Sequence, residues 1–459
     1  MPRYMKSVDN TTSKLGYVTH LECLSCGEIY TLEKLKREQG TILVNICYDV
    51  CMGPLDIKYD YDKLRNILTK DVLKKRPDNY WKLKELLPAN EIYVAESRAF
   101  SPLVKSKTIG KELGIELYFK LDSTELFPTH SFKDRPVAMA FNKAIEAGYA
   151  QVFVASTGNL AIATAYQARE SGIICRVYVP KSLGTVKKDA IRNYLPSLDN
   201  LIELDLSYDD CNIKSMRDCE SENEKEIKKG RKLSFVPNNS FRPYYKEGSK
   251  TEGTETALQL QRMIPEDRII NIFFPLGSGA LFCSAYKGIN ELRKIGLFNN
   301  PVRMFGVQPE TCSPIIDAIG KEDIIPVRNP KTIAKSIAIG KPGSGHQSLD
   351  VIKESNGNGI KVSEEDIFKN TIELYLKDGI FSQFVGGVTI AGIIKSIENV
   401  NIKKGEIVVA NITGTGIDRI EDDLIEYSKV FGYIEDVKKL LKGISYAKKN
   451  RTLDYAPEF

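Results

Sequence analysis

The sequence predicts a doubly wound α/β protein with a small cysteine-bearing unit near its N-terminus, and three observations carry that prediction. From about residue 95 to 430, short β-branched runs alternate with helix-like segments, the pattern of parallel strands joined by crossover helices. Several of these runs end in polar, glycine-bearing turns just ahead of a helix, where doubly wound sheets bind ligands. Four of the nine cysteines fall within the first 51 residues, apart from the alternating region.

The cysteines come first along the chain. Cys23 and Cys26 are followed, after twenty intervening residues, by Cys47 and Cys51, with short β-prone segments on either side. Two such knuckles suit a tetrathiolate zinc ribbon, because soft thiolates bind tetrahedral zinc, and Gly27 and Gly53 are expected to ease each turn. The second pair is one residue wider than the usual knuckle, and a metal-free hairpin with buried cysteines is the alternative. Cys175, Cys211, Cys219, Cys283 and Cys312 show no framework spacing, which argues for reduced thiols rather than a secreted disulfide scaffold. The opening segment MPRYMKSVDNTTSKLG has no apolar core, so a signal peptide is not expected, nor is any apolar run long enough to span a bilayer. A cytoplasmic protein without a membrane is the resulting expectation.

In the alternating region the expected strands are QVFVA (151–155), IICRVYVP (173–180), IINIFFP (269–275), RMFGVQ (303–308) and GEIVVANIT (405–413). Expected helices include 135–148, where Val137, Ala140, Phe141, Ala144 and Ile145 share one face, and 161–172. The stretch 217–232 is dense in charge and predicts a solvated surface insertion. The Lys-rich, amphipathic segment 436–459 predicts a docking helix with a tail. A net charge of +5, spread along the chain, makes nucleic acid unexpected as a main partner. His20 and His346 are read as ordinary structural or surface residues.

Three strand-end segments can carry chemistry. In FPTHSFKDRP (127–136), Lys133 precedes an Asp able to cap the next helix. A helix N-terminus and desolvation both disfavour a protonated amine, and a neutral amine is what Schiff-base chemistry needs. In VASTGNLAIATA (154–165), Ser156, Thr157 and Asn159 offer hydroxyls and an amide at a helix start, a receptor for a carboxylate. In FFPLGSGALF (273–282), a glycine turn before a helix can wrap a phosphate with backbone N–H groups. Each alone is commonly a simple cap or turn; their order and spacing, followed by TGTG after a late strand, raise their weight together.

Taken together the chain resembles the threonine-synthase branch of the β-family of pyridoxal-phosphate (PLP) enzymes. The resemblance runs through the cysteine hairpins, YWKLKELLP (80–88), SPL (101–103), PTHSFKDR, ASTGN, NNSFRPYYKEGSKT (238–251), PLGSGALFCSAYKG (275–288), TIAKSIAIGKP (332–342) and NITGTGID (411–418). It implies two intertwined doubly wound subdomains around PLP (fold type II), the smaller at about 125–240. The units would be a cysteine ribbon at 1–60, a catalytic domain at 61–435 and the C-terminal helix and tail at 436–459. Lys133 would hold PLP as a Schiff base and shuttle protons, and Asn159 would bond the ring oxygen. Gly277, Ser278, Gly279 and Ala280 would cradle the phosphate, and Thr413 would face the pyridine nitrogen. Ser156, Thr157, Asn239, Ser240 and Arg242 would hold the amino-acid substrate. Conversion of O-phosphohomoserine and water to threonine and phosphate is implied, by a homodimer.

Departures from the family pattern gather around the substrate. Phe127 replaces Asn, His130 replaces Gly three residues before Lys133, and Pro136 replaces another Gly. Pro136 is tolerated in the first turn of a helix. After the phosphate loop, Ala280 and Leu281 stand for Gly-Asn; Arg242 stands for Asn, Tyr245 for an Arg that helps hold the substrate phosphate, and Gln383 and Phe384 for Glu and Pro. The alternatives are therefore a diverged threonine synthase, a β- or γ-replacement or elimination enzyme for another activated amino acid, and a non-catalytic relative that uses the ribbon for binding.

Overall fold

Strands and helices alternate as the apolar runs require, and a computed structural model gathers the strands into three sheets. It describes residues 15–39, 44–94, 99–123, 127–146, 148–195, 197, 200–228, 234–235, 243–417 and 420–450. The chain divides into two compact units. The first comprises Met1–Ala99, Lys133–Thr251 and Lys294–Leu297, and the second Phe100–Phe132, Glu252–Arg293 and Phe298–Phe459. Among the described residues, no helix is long and apolar enough to cross a membrane.

The first unit opens with an antiparallel sheet of β1 (Val18–Cys23), β2 (Ile29–Thr31) and β3 (Leu55–Tyr59), in the order β2-β1-β3. The alternating burial of β3, with Leu55, Ile57 and Tyr59 inward, is what one covered face produces. Gly27 turns the first knuckle at φ +75°, as expected. The second knuckle differs: Met52 takes the left-handed residue at φ +58°, and Gly53 is needed for space. A Cβ on Gly53 would lie 2.6 Å from Ser25 Oγ and 2.9 Å from Cys23 Sγ.

In the second unit, β4 (Leu103–Lys105) and β5 (Glu116–Leu121) join four later strands in one sheet. In the first unit, β6 (Gln151–Ala155), β7 (Ile174–Pro180), β8 (Leu201–Leu204) and β9 (Ser234–Phe235) form an all-parallel sheet ordered β8-β7-β6-β9. The remaining strands of the second unit are β10 (Ile270–Pro275), β11 (Val302–Pro309), β12 (Asn358–Val362) and β13 (Ile407–Ile412), giving the order β12-β11-β10-β13-β5-β4. All pairings are parallel except that of β4 with β5. All six residues of β13 are buried, which is why IVVANI is an unbroken run rather than an alternating one. The doubly wound class expected from the alternation is what the fold adopts.

Both parallel sheets reverse direction once. In the first unit the chain steps outward from β6 to β7 to β8, then returns to place β9 on the other side of β6. In the second it steps from β10 to β11 to β12, then returns to place β13 on the other side of β10. Such switch points open a crevice at the carboxyl ends of the two central strands, where ligands bind.

Two helices refine the sequence reading. The charged stretch 217–232 was expected to be a solvated insertion, but its residues up to 228 complete the helix Tyr208–Lys228. Cys211, Ser215 and Cys219, four residues apart, are buried on one stripe, and the two cysteines join a cluster with Phe153 and Tyr178. Composition hid that stripe, because small residues contribute little apolar signal among so many charges. The helix Ile434–Asn450 docks as expected, with Val437, Leu440, Ile444 and Ala447 in the main core of the second unit.

Gly253 lets two helices of the second unit pack closely. A Cβ at Gly253 would fall 2.0 Å from the Ala285 carbonyl oxygen, which is backbone and cannot move aside. Gly253→Ala is expected to destabilise the protein by about 1–3 kcal/mol through overpacking. Urea unfolding checks this, and a wild-type midpoint contradicts it.

Candidate functional site

Lys133 occupies the cap position of the helix Asp134–Glu146, since its carbonyl accepts from the Val137 N–H at 3.2 Å. Asp134, expected to be the cap, is instead the first helical residue and is buried. The Lys133 Nζ donates a hydrogen bond to Tyr245 Oη at 3.0 Å, and both residues belong to the first unit. Tyr245 sits in the first turn of the helix Pro243–Met263 and is 5% exposed, its ring packed in the core cluster with Tyr80, Trp81 and Val137.

A carboxyl-end loop of this unit follows β6. Ser156 is buried, Thr157 and Asn159 are half-buried, and Asn159 begins the helix Asn159–Ser171. Ser156 Oγ accepts from the Gly158 N–H at 3.4 Å, which holds the turn open ahead of the helix. That helix packs beside the one Lys133 begins. Asn239, Ser240 and Arg242 follow β9 in the chain and lie outside the described residues.

In the second unit three loops leave the carboxyl ends of adjacent strands β10, β13 and β5. The first is Gly277-Ser278-Gly279, ahead of the helix Ala280–Lys294. Among the described residues, the N–H groups of these three form no hydrogen bond, while Ser278 Oγ accepts from the Ala280 N–H at 3.4 Å. Gly279 has φ +83°, and a Cβ there would lie 2.2 Å from Ser348 Oγ and 2.8 Å from the Ser344 carbonyl oxygen. Gly277 has Ile337 behind it, with Cα 3.2 Å from where its Cβ would be. The IAIGKP segment and the residues after it therefore form the floor of this loop. Free donors at the start of a fifteen-residue helix, with hydrogen atoms alone at two positions, fit a phosphate monoester.

The second loop, Thr413 to Gly416, is zipped to the third, which leads to the lysine. Phe132 N–H donates to the Thr413 carbonyl at 3.0 Å, and Thr415 N–H donates to the His130 carbonyl at 3.0 Å. Gln383, one of the divergent positions, donates its N–H to the Gly414 carbonyl at 3.1 Å. His130 has φ +54°, left-handed backbone in which glycine is at ease, which gives a physical reason for the glycine that the family pattern leads one to expect here. Phe127 is buried and accepts the His130 N–H in the same turn, so its apolar ring serves the core rather than a polar ligand.

The four N-terminal cysteines converge, their Sγ atoms all within 4.8 Å of one another. Cys23 and Cys51 are 3.4 Å apart and Cys26 and Cys47 3.8 Å apart, close to the roughly 3.8 Å edge of a tetrahedron with metal–sulfur bonds near 2.3 Å. Burial works to raise the Cys47 thiol, but contacts with the Tyr30 hydroxyl and the N–H groups of Cys51 and Val50 prevail and bring it down to about 6. Cys51 is pushed up to about 12, chiefly by its contact with Cys26.

Sequence reasoning singled out Lys133 and its loops but treated Tyr245 only as a lost arginine. No local motif marks a tyrosine more than a hundred positions away as the partner of a lysine; the signal was its place in the NNSFRPYY segment.

Comparison with known proteins agrees with this geometry. The profile of the family described as pyridoxal-phosphate dependent enzyme matches residues 94–414. The threonine synthase of Methanocaldococcus jannaschii is 31% identical over 400 residues, covering 86% of this chain and 92% of the relative. That of Methanosarcina acetivorans is 31% identical over 398 residues, covering 86% and 91%. Among solved structures, a fungal L-serine ammonia-lyase from Rhizomucor miehei aligns with a TM-score of 0.59 at 18% identity, covering 73% of this chain and 99% of that one. The processed form of threonine deaminase isoform 2 from Solanum lycopersicum gives 0.58 at 22% identity, covering 80% and 95%. At those identities the solved structures show a shared fold.

Proposed function

The chain belongs to the pyridoxal-phosphate-dependent enzyme family, and from that premise we infer that it is a threonine synthase, a lyase that converts O-phosphohomoserine and water to threonine and inorganic phosphate. The observation that carries the reading is the match to threonine synthases along 86% of the chain.

Each residue has a task under this reading. The amine of Lys133 would hold the cofactor covalently and then serve as the base for the protons at the substrate Cα and Cβ. Gly277, Ser278, Gly279 and Ala280 would receive the cofactor phosphate on backbone donors. Asn159 would bond its ring oxygen. Thr413 would meet its pyridine nitrogen with a hydroxyl, which does not enforce protonation as a carboxylate would. The cofactor, when bound, supplies an electron sink for the pair left at Cα. Ser156 and Thr157 would fix the substrate carboxylate at a helix start, and Asn239, Ser240 and Arg242 would contribute to the phosphate end. The same reading takes the enzyme to be a cytoplasmic homodimer, checked in solution by light scattering.

Incubating the PLP-loaded protein with O-phosphohomoserine tests the reaction. Phosphate and threonine in equal amounts support it; a yellow protein that releases neither overturns it. One observation favours a second reading, a replacement or elimination enzyme for another activated amino acid: Tyr245 puts a hydroxyl, engaged with Lys133, where the family pattern leads one to expect an arginine. Turnover of a substrate without a phosphate leaving group, and none of O-phosphohomoserine, is its signature.

We assign the four-cysteine cluster to zinc, on the spacing of its sulfurs. About one zinc ion per chain is expected by elemental analysis, falling to near none in a Cys23→Ser, Cys26→Ser double variant. Full-length protein that is free of zinc and still cooperative in unfolding would contradict the assignment.

A further inference from the structure

We propose that Tyr245 is a positioning residue for the Lys133 amine, its hydroxyl holding Nζ in place whenever that amine is not bonded to the cofactor. The proposal rests on the reading of Lys133 as the cofactor lysine, and it is built from contacts within one unit.

A lysine amine ends four rotatable bonds, and leaving it loose costs both rate and direction in any step where it must meet a carbon or an aldehyde. Here the 3.0 Å contact to Tyr245 Oη supplies a fixed point. A phenol suits both states of the amine. When Nζ is neutral, the O–H can donate to its lone pair; when Nζ has taken a proton, the phenol oxygen accepts from the ammonium. The ring itself is immobile, 5% exposed among packed side chains, so the hydroxyl carries little motion of its own.

The helix that bears Tyr245 is fastened to the helix that follows Lys133 at several points. Gly248 faces the start of that helix so closely that a Cβ would fall 2.7 Å from the Arg135 carbonyl oxygen and 2.7 Å from the Pro136 Cα. Arg135 Nη1 donates to Thr251 Oγ1 at 3.1 Å. From the other side, Lys250 forms a short ion pair with Glu247 and donates to the Leu86 carbonyl at 2.7 Å. Tyr59, the last residue of β3, donates to Glu247 at 2.5 Å. A buried charged pair with all its partners present fixes register more than it adds stability. The close approach at Gly248 and the Arg135–Thr251 bond set the separation of the two helices near the point where one carries the amine and the other the phenol.

A tyrosine where the family pattern leads one to expect an arginine has a consequence for the substrate as well. A phenol committed to the lysine supplies no cation to a leaving phosphate, so phosphate recognition must come from other residues of the chain.

The test uses full-length Tyr245→Phe and wild type, stripped of cofactor and given PLP, with capture followed by visible absorbance. The expected result is loading to the same stoichiometry, capture slower by on the order of 10-fold, and kcat lower by about 10- to 100-fold with KM within about twofold. Thermal unfolding within about 2 °C of wild type shows that the fold is intact. Capture and kcat both at wild-type values overturn the proposal. So does a raised KM with unchanged kcat, which would make Tyr245 a substrate contact. If wild type fails to take up PLP, the cofactor reading itself fails. If it takes up PLP without turning over O-phosphohomoserine, the capture rates alone decide the role of Tyr245.

Discussion

Lys133→Ala is expected to give a folded, colourless protein whose turnover is lower by about 1,000-fold or more, because one amine both anchors the cofactor and moves the substrate protons. The location of Lys133 makes the loss specific. It stands at the start of a helix, directly after the segment zipped to the Thr413 loop, and its own carbonyl caps that helix. Removing the side chain leaves each of these backbone bonds in place, so the loss should be chemical rather than structural. Absorbance of the purified protein, far-UV circular dichroism and phosphate release separate the two. A yellow Lys133→Ala protein with substantial turnover would show that another group performs the chemistry.

Gly279→Ala should have the next largest effect. The residue is left-handed at φ +83°, a region that costs a residue with a Cβ about 1–2 kcal/mol. The added methyl would also meet the Ser344 carbonyl at 2.8 Å, and Ser348 Oγ, which blocks it at 2.2 Å, is itself bonded to that carbonyl. Because these neighbours support one another, the loop must shift, and its three N–H groups shift with it. Affinity for PLP is expected to fall by on the order of 10- to 100-fold, with about 1–3 kcal/mol lost in stability. Titration of the cofactor-free protein reads this directly. Wild-type affinity would mean that the loop does not hold the phosphate.

The sequence made the frame legible wherever a signal was local. The apolar runs of β10 and β13 declared buried parallel strands, and the turns after them declared carboxyl-end loops. Lys133 and ASTGN were legible for the same reason: a strand, a polar turn and a helix start lie within a dozen residues. What the sequence hid depended on distance or on backbone shape. Strand order, and with it the two switch points, follows from pairings between segments far apart in the chain, such as Gln151 with Ser234 and Ile270 with Ile407. The stripe of Cys211, Ser215 and Cys219 is too small in apolar area to stand out against its charges. Gly53 and Gly248 look like ordinary glycines until the atoms facing them are known. His130 showed in the sequence only as a departure from a family glycine; its left-handed backbone gives the physical basis. Tyr245 read as an absent arginine, and only packing between two helices makes it a neighbour of Lys133.

The central claim is that Lys133 carries the cofactor, and one measurement tests it most directly. The PLP-loaded protein is reduced with borohydride, digested, and its pyridoxyl-bearing peptide sequenced by mass spectrometry. A single modified peptide containing SFKD, with the added mass on Lys133, is the predicted result; the label on another lysine, or on none, would contradict the account.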